Sequence, residues 1–428
     1  MKLKYNHYSL PNGVRVFTVP KKETMGIFIN VIFRVGSRYE NIGIDGVAHF
    51  IEHMNFKGTK KRLKSTDIKK EIHQVGGTIN AYTSKETTGY YVSLPARKVE
   101  LGVDILSDIL LNSRFDTKDI EKEKGVIIEE IKMYDDMPAD YAFMKFEELI
   151  FGKNPLGSDI AGSIDSIKKM TRKDLINFKN RFYSAQNTVI AVGGKFSEVK
   201  LKGLLTKKFG KIKKASLNTS EKTILKQDSP LVKIYKRDSQ QANILMGFRA
   251  FGRNRSDHDR TTIDLLSRII GGYSSSILFD EIREKRALVY DISSWTRCFD
   301  ETGAFVISAG VNCAKLEESV SAILKKLKEI KNNGLKPEYI KRAKDFELGR
   351  LDLSIEASSS WAANIANQAL YEKDIDLPEN IARSIKKVTA LDLKKMAGEL
   401  FQPKNLNLVI VAPIDKKQEN KYLKLIKL

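Results

Sequence analysis

Cysteine is almost missing from this chain of 428 residues, which holds only Cys298 and Cys313. They stand outside any CxxC spacing and argue against a disulfide framework in a chain of this size, so a reducing cytoplasm is the expected setting. Apolar runs of eighteen or more residues are also missing, which excludes a membrane-spanning helix. The opening stretch, MKLKYNHYSLPNGVRVFTVP, has neither the apolar segment of a secretory signal nor the Arg/Ser-rich character of a transit peptide. It reads as strand, Pro11-Asn12-Gly13 turn, strand, so folded structure is expected almost from the first residue. Histidine is scarce too: there are five, which makes any cluster of them informative.

Charge of one sign is in excess. Lys plus Arg number 74 and Asp plus Glu 53, a net charge of 74 − 53 = +21. That balance raises nucleic-acid binding as a reading, but the lysines are scattered among acids on the polar faces of helical patterns. No RNP-like aromatic-basic run and no zinc-finger spacing accompanies them. The stretch VGGKF at 192–196 lacks the leading glycine and the Ser/Thr of a P-loop. A solvated Lys-rich surface without a nucleic-acid partner is the better account. The apolar share of 42% and charged share of 30% are those of a folded chain, and the length asks for more than one domain.

The chain repeats itself. Residues 167–194 lie without a gap on residues 385–412, with seven of 28 positions identical, at an offset of 218. In both copies a Thr-x-x-Asp start (Thr171 and Asp174, Thr389 and Asp392) opens a helix. A turn with Asn187 or Asn405 then leads into an apolar strand. Duplication of a unit of about 200 residues follows. The expected division is a domain at 1–212, a polar linker at 213–228 and a related domain at 229–428. Strands next to strands, with helices in separate runs, give an α+β class. Each half is expected to be a mainly antiparallel sheet with helices packed on one face.

The stretch GVAHFIEHMNFKGT, 46–59, carries the chemistry. On a helix, His49 and His53 at i and i+4 project toward one point, with Glu52 beside them and Val47, Phe50, Ile51 and Met54 as the apolar wall. Asp45 is expected to cap its start. The bland account is two histidines that share a helix face; the chemical one is a zinc chelate with an adjacent carboxylate base. Zinc with two imidazoles needs a third ligand, usually a carboxylate. The helix pattern DTKDIEKEKGVIIEEIKMYDD, 116–136, offers one. Ile120, Glu123, Ile127 and Glu130 share a stripe, while Glu129 points away. A glutamate in line with isoleucines must be paired, protonated or bound to metal.

These motifs resemble the pitrilysin/insulinase family of zinc endopeptidases, in particular its mitochondrial-processing-peptidase-like branch. His-x-x-Glu-His is the inverted zincin motif. The family's ligand glutamate follows after about 76 residues, and residues 54 to 129 separate His53 from Glu130 here. PNGVRVFTVP, GGTINAYTSKETTGYY, NPLGSDIAG and GGYSSSILFDEIREKRALVY extend the resemblance over nearly the whole chain.

The resemblance implies one zinc per chain, held by His49, His53 and Glu130, with Glu52 as catalytic base and Glu123 supporting a ligand. It implies that Asn80 and Ala81 lie on an edge strand to which an extended peptide substrate adds. Arg283 and Tyr290 match the family's pair of substrate contacts, although Ala287-Leu288-Val289-Tyr290 reads as a turn into a strand. The second half has no His-x-x-Glu-His and is expected to be catalytically empty. By resemblance the assembly is a homodimer, or a heteromer with a related subunit. The expected function is zinc-dependent hydrolysis of extended or unfolded peptides; the alternative is a structural subunit, non-catalytic or weakly active, of a processing complex. The basic charge favours general peptide clearance over removal of positively charged presequences.

Overall fold

The computed structural model describes residues 4–41, 43–217, 220, 222–223 and 225–426. The first half carries strands β1 (Asn6–Ser9), β2 (Arg15–Pro20), β3 (Gly26–Phe33), β4 (Thr78–Thr83), β5 (Thr88–Pro95) and β6 (Thr188–Gly194). Its helices are α1 (Val47–Asn55), α2 (Ser65–His73), α3 (Val99–Asn112), α4 (Thr117–Asp136), α5 (Pro138–Phe151), α6 (Ile164–Lys169), α7 (Arg172–Phe182) and α8 (Glu198–Phe209). The second half adds β7 (Leu231–Lys236), β8 (Gln241–Phe251), β9 (Val289–Cys298), β10 (Thr302–Asn312) and β11 (Leu406–Ala412). Its helices are α9 (Asp257–Gly271), α10 (Leu316–Asn333), α11 (Pro337–Ile355), α12 (Ser358–Tyr371), α13 (Pro378–Lys387), α14 (Ala390–Leu400) and α15 (Glu419–Leu425).

The class is α+β, with two similar sheets. The first has six strands in the order β1-β2-β6-β3-β5-β4, and the second has five in the order β7-β11-β8-β10-β9. All pairs are antiparallel except β2 with β6 and β7 with β11. The central strands β6 (TVIAVGG) and β11 (LNLVIVA) are buried along their whole length. Such continuous apolar runs mark strands covered on both faces. The repeat is written into the elements: α7 and α14, and β6 and β11, have boundaries that differ by 218 throughout. Both helices open on a reciprocal capping box, Thr171 with Asp174 and Thr389 with Asp392.

The compact units are discontinuous in sequence. The first comprises Met1–Ile131, Asp159–Glu221 and Asp352–Pro378; the second comprises Lys132–Ser158, Lys222–Leu351 and Glu379–Leu428. Each half therefore lends a helix to the other's unit. Within the first unit, α12 lies on β2, β3 and β6. It approaches so closely that a Cβ on Gly193 would meet Ser358 O at 2.3 Å. Within the second, α5 covers β8 and β11 and contributes Phe146 and Ile150 to a cluster with Leu245, Val306 and Val409. The expected helical layer covers the opposite face of each sheet, and the exchanged helix covers the remaining one. The described part of the 213–228 linker forms no helix or strand; residues 218, 219, 221 and 224 lie outside the described residues.

Burial explains why the short α1 forms. Nine residues are too few for a stable helix in water. Val47, Phe50, Ile51 and Met54 are each at most 1% exposed, joined to the main core of the first unit. At roughly 1.5–3 kcal/mol for each large side chain, this burial outweighs the weak intrinsic helix preference.

Candidate metal centre and peptide-binding edge

The entry into α1 is held by a residue that the sequence pattern does not single out. Gly46, at the N-cap, has φ +89°, and a Cβ there would lie 2.4 Å from Ala161 O. Glycine satisfies both demands. The free N–H groups of the first turn are met by Glu40, which is 6% exposed. Its Oε2 accepts from Gly46 N at 2.8 Å and its Oε1 from Ala48 N at 2.9 Å. Burial pushes the Glu40 carboxyl well up, against the opposing pull of those two N–H groups. The expected cap by Asp45 is therefore corrected. Its Oδ2 accepts from Ser163 N at 2.7 Å and ties the loop to the start of α6.

One turn apart on α1, the His49 and His53 rings have centroids 4.5 Å apart. Glu130 reaches them from α4: its Oε2 lies 3.6 Å from His53 Nε2 and 3.9 Å from His49 Nε2. The three side chains each bring a donor atom within 4.8 Å of the others, and among the described residues no other group of three His, Cys, Asp or Glu does so. The separations are longer than hydrogen bonds. They approach the spacing of about 3.4 Å between two ligands of one tetrahedral zinc.

The protonation pattern fits a cation. Burial, helped by the neighbouring His53, lowers the His49 pKa to about 3, so this imidazole is neutral. His49 Nδ1 is buried with no hydrogen-bond partner among the described residues. His53 Nδ1 lies 2.8 Å from Glu123 Oε1, and a proton on Nδ1 leaves the Nε2 lone pair facing Glu130. Glu123 is 2% exposed, and its Oε2 meets Lys57 Nζ at 2.5 Å. Burial alone would raise its pKa. The hydrogen bond from His53 and the pairing with Lys57 outweigh that effect and keep it a carboxylate. Two imidazoles and a glutamate side chain form a donor set suited to zinc.

Glu52 stands on the same helix, and its Oε2 accepts from Thr83 Oγ1 at 2.5 Å. Burial raises its pKa, with Thr83 and His53 pulling the other way. Thr83 ends β4, one of the two outer strands of the first sheet. On that strand Asn80 is exposed and paired with Tyr91, and Ala81 is paired with Tyr90. Ala81 N donates to Asn80 Oδ1 at 2.9 Å, so this N–H is turned away from the β5 ladder.

Arg283 and Tyr290 belong to the second unit. Arg283 lies in a short π-type helix, Phe279–Glu284, with its guanidinium 4.5 Å from the centre of the Phe279 ring. The chain then turns at Ala287, φ +48°, into β9, where Tyr290 is 63% exposed on the outer strand. The turn-into-strand reading of 287–290 matches this path.

The second unit repeats the scaffold without the ligands. The cross-strand row Thr188–Phe33–Thr88–Thr83 corresponds to the row Leu406–Phe248–Phe305–Thr296. Thr296 donates to Asp264 on α9, as Thr83 does to Glu52 on α1. Counted from the Glu52–Asp264 match, Thr261 and Leu265 stand where the first half has His49 and His53. Arg268, one turn further, instead pairs with Glu347 at 3.1 Å. Thr83, Lys57 and Glu40 escaped the sequence reading, since they act across turns and strands rather than at helical spacing from the histidines.

Comparison with known proteins gives the family and the fold. The family model described as insulinase (peptidase family M16) matches residues 15–163, and the peptidase M16 inactive domain matches residues 169–346. A protein named as an uncharacterized zinc protease in Mycobacterium leprae is 32% identical over 413 residues, covering 96% of this chain and 92% of its own. Another so named in Bacillus subtilis is 29% identical over 411 residues, covering 95% and 98%. Among solved structures, a protease from Helicobacter pylori superposes with TM-score 0.88 at 24% identity, covering 96% of this chain and all 100% of that one. At that identity the likeness speaks for the fold.

Proposed function

The chain belongs to the M16 (insulinase) peptidase family, and from that premise we propose that it is a zinc-dependent endopeptidase acting on extended or unfolded peptides. The observation that carries the reading is the approach of His49, His53 and Glu130 to one point, with Glu52 alongside. Zinc bound there supplies Lewis acidity, which polarises a peptide carbonyl and makes water easier to deprotonate.

The chain's own residues do the rest. His49, His53 and Glu130 hold the ion, one per chain. Glu52 takes the proton from the attacking water and delivers it to the leaving amine. Its raised pKa brings it closer to neutrality, where a group can both accept and return a proton. Thr83 steers one oxygen of that carboxylate. Glu123, anchored by Lys57, fixes the tautomer and orientation of His53. The outer strand β4 takes the substrate as an added strand through Asn80 and Ala81, so an extended backbone is what it accepts. Arg283 and Tyr290 are substrate contacts, the guanidinium for a carbonyl and the phenol for developing negative charge. The match of the second half to an inactive domain supports a single catalytic half.

No helix among the described residues is long and apolar enough to cross a membrane. The scarcity of cysteine, two in the whole chain, supports a reducing, cytoplasmic setting. The working assembly is a homodimer or a pair with a related subunit, and light scattering on the purified chain distinguishes the two.

The test is peptide hydrolysis and metal analysis on wild type and Glu52→Gln. Both proteins should carry about one zinc, and the variant should lose activity by about 100-fold or more. Equal turnover by the two removes Glu52 from its role.

A further inference from the structure

Beneath the metal helix lies a polar network with no part in the chemistry above. Asn55 is the last residue of α1, two beyond His53, and is fully buried. It is anchored three ways. Its Oδ1 accepts from Lys179 Nζ on α7 at 2.6 Å, and its Nδ2 donates to Tyr90 OH on β5 at 2.7 Å. Its backbone carbonyl accepts from Ser113 Oγ at 3.0 Å. Tyr90 OH in turn lies 3.0 Å from Tyr183 OH.

Lys179 is the unusual member. The residue as a whole is partly exposed, but its ammonium turns inward onto a buried amide and lies 4.7 Å from the centre of the buried Phe115 ring. Its hydrogen-bond partner is a neutral amide, not a carboxylate, and desolvation lowers its pKa to about 7. Holding an amine in such surroundings opposes folding unless something is gained.

The duplicated half provides an internal control. At the offset of 218, Lys179 corresponds to Ala397 and Tyr183 to Phe401, both fully buried. Tyr90 stands opposite Val31 in the sheet as Ile307 stands opposite Met246, so Tyr90 corresponds to Ile307. Counting on from the Glu52–Asp264 match, Asn55 corresponds to Ser267. Where the half lacks the histidine pair, the lysine and both phenols are replaced by ordinary core, with Phe248 and Phe401 rings 5.1 Å apart. The fold therefore does not need the network. The half with the histidines has it.

We propose that Lys179 is a positioning residue of the metal site: through Asn55 it fixes the last turn of α1 and so aims the rings of His49 and His53. In its protonated form the amine also complements the negative end of the α1 helix dipole. Ligand atoms must be held to a fraction of an ångström, and a helix of nine residues cannot supply that rigidity alone. This inference rests on the function proposed above.

The experiment compares wild type, Lys179→Met and Lys179→Gln. It reads zinc affinity by competition with a chelator, kcat and KM on a reporter peptide, and the thermal midpoint of the metal-free chain. For Lys179→Met the expected result is zinc binding about tenfold weaker and kcat about tenfold lower, with KM and the metal-free midpoint little changed. Lys179→Gln, which keeps an amide donor, should recover part of both losses. A folded Lys179→Met with wild-type zinc affinity and kcat overturns the proposal. If Lys179→Met does not fold, Lys179→Gln decides: it should show weaker zinc binding than wild type, and wild-type affinity overturns the proposal. If neither variant folds, Lys179 is a determinant of the fold and the proposal falls. Wild type that neither binds zinc nor cleaves peptide removes the function itself, and the role of Lys179 with it. Wild type that does both beside an unaffected variant removes only the role of Lys179.

Discussion

Glu123 holds His53 through Nδ1 while Lys57 holds Glu123, so the orientation of one proposed ligand depends on two residues that do not reach the ion. Replacing Glu123 by Gln keeps the shape of the side chain but weakens both contacts. Zinc affinity should then fall by about 10- to 100-fold, measured by chelator competition. Unchanged affinity would show that His53 is oriented by something else. The sequence made part of this visible. Glu123 and Glu130 fall in line with Ile120 and Ile127, and a carboxylate in such a stripe asks for a partner. Ile120, Glu123 and Ile127 are buried as that pattern requires, and Glu130, further along, is only partly exposed. Lys57 and Thr83 were not legible, because each meets its partner only after α4 and β4 have docked beside α1.

Among the elements, α1 was legible from its apolar spacing, but its cap was not. Asp45 has the right residue type one position before the glycine, yet the loop turns its carboxylate to Ser163 and brings Glu40 back from six residues upstream of Gly46. Converting Glu40 to Ala leaves two buried N–H groups without acceptors. Stability should drop by about 1–3 kcal/mol, read from chemical denaturation of the metal-free chain. A loss well below that range would mean that water or Asp45 replaces the cap. The exchanged helices α5 and α12 were illegible for a different reason. An amphipathic pattern says that a face is buried and does not say against which sheet.

At the scale of the whole molecule, the duplication was readable because α7 with β6 and α14 with β11 kept their spacing to the residue. The equivalence of Thr83 with Thr296 was not readable, since insertions elsewhere change the offset and only the sheet register restores it. The charge of +21 belongs to this scale as well. A surface of that sign should favour acidic over basic peptides of matched length, with the preference shrinking as salt rises. Hydrolysis rates at several ionic strengths check this, and a strong preference for basic peptides would point to presequence-like substrates instead.

The most direct measurement is diffraction at the zinc absorption edge from zinc-loaded crystals. The account predicts one anomalous peak per chain, about 2.1 Å from an Nε2 atom of His49 and of His53 and from a carboxylate oxygen of Glu130. A peak coordinated by other residues, or none in protein that still cleaves peptides, would contradict it.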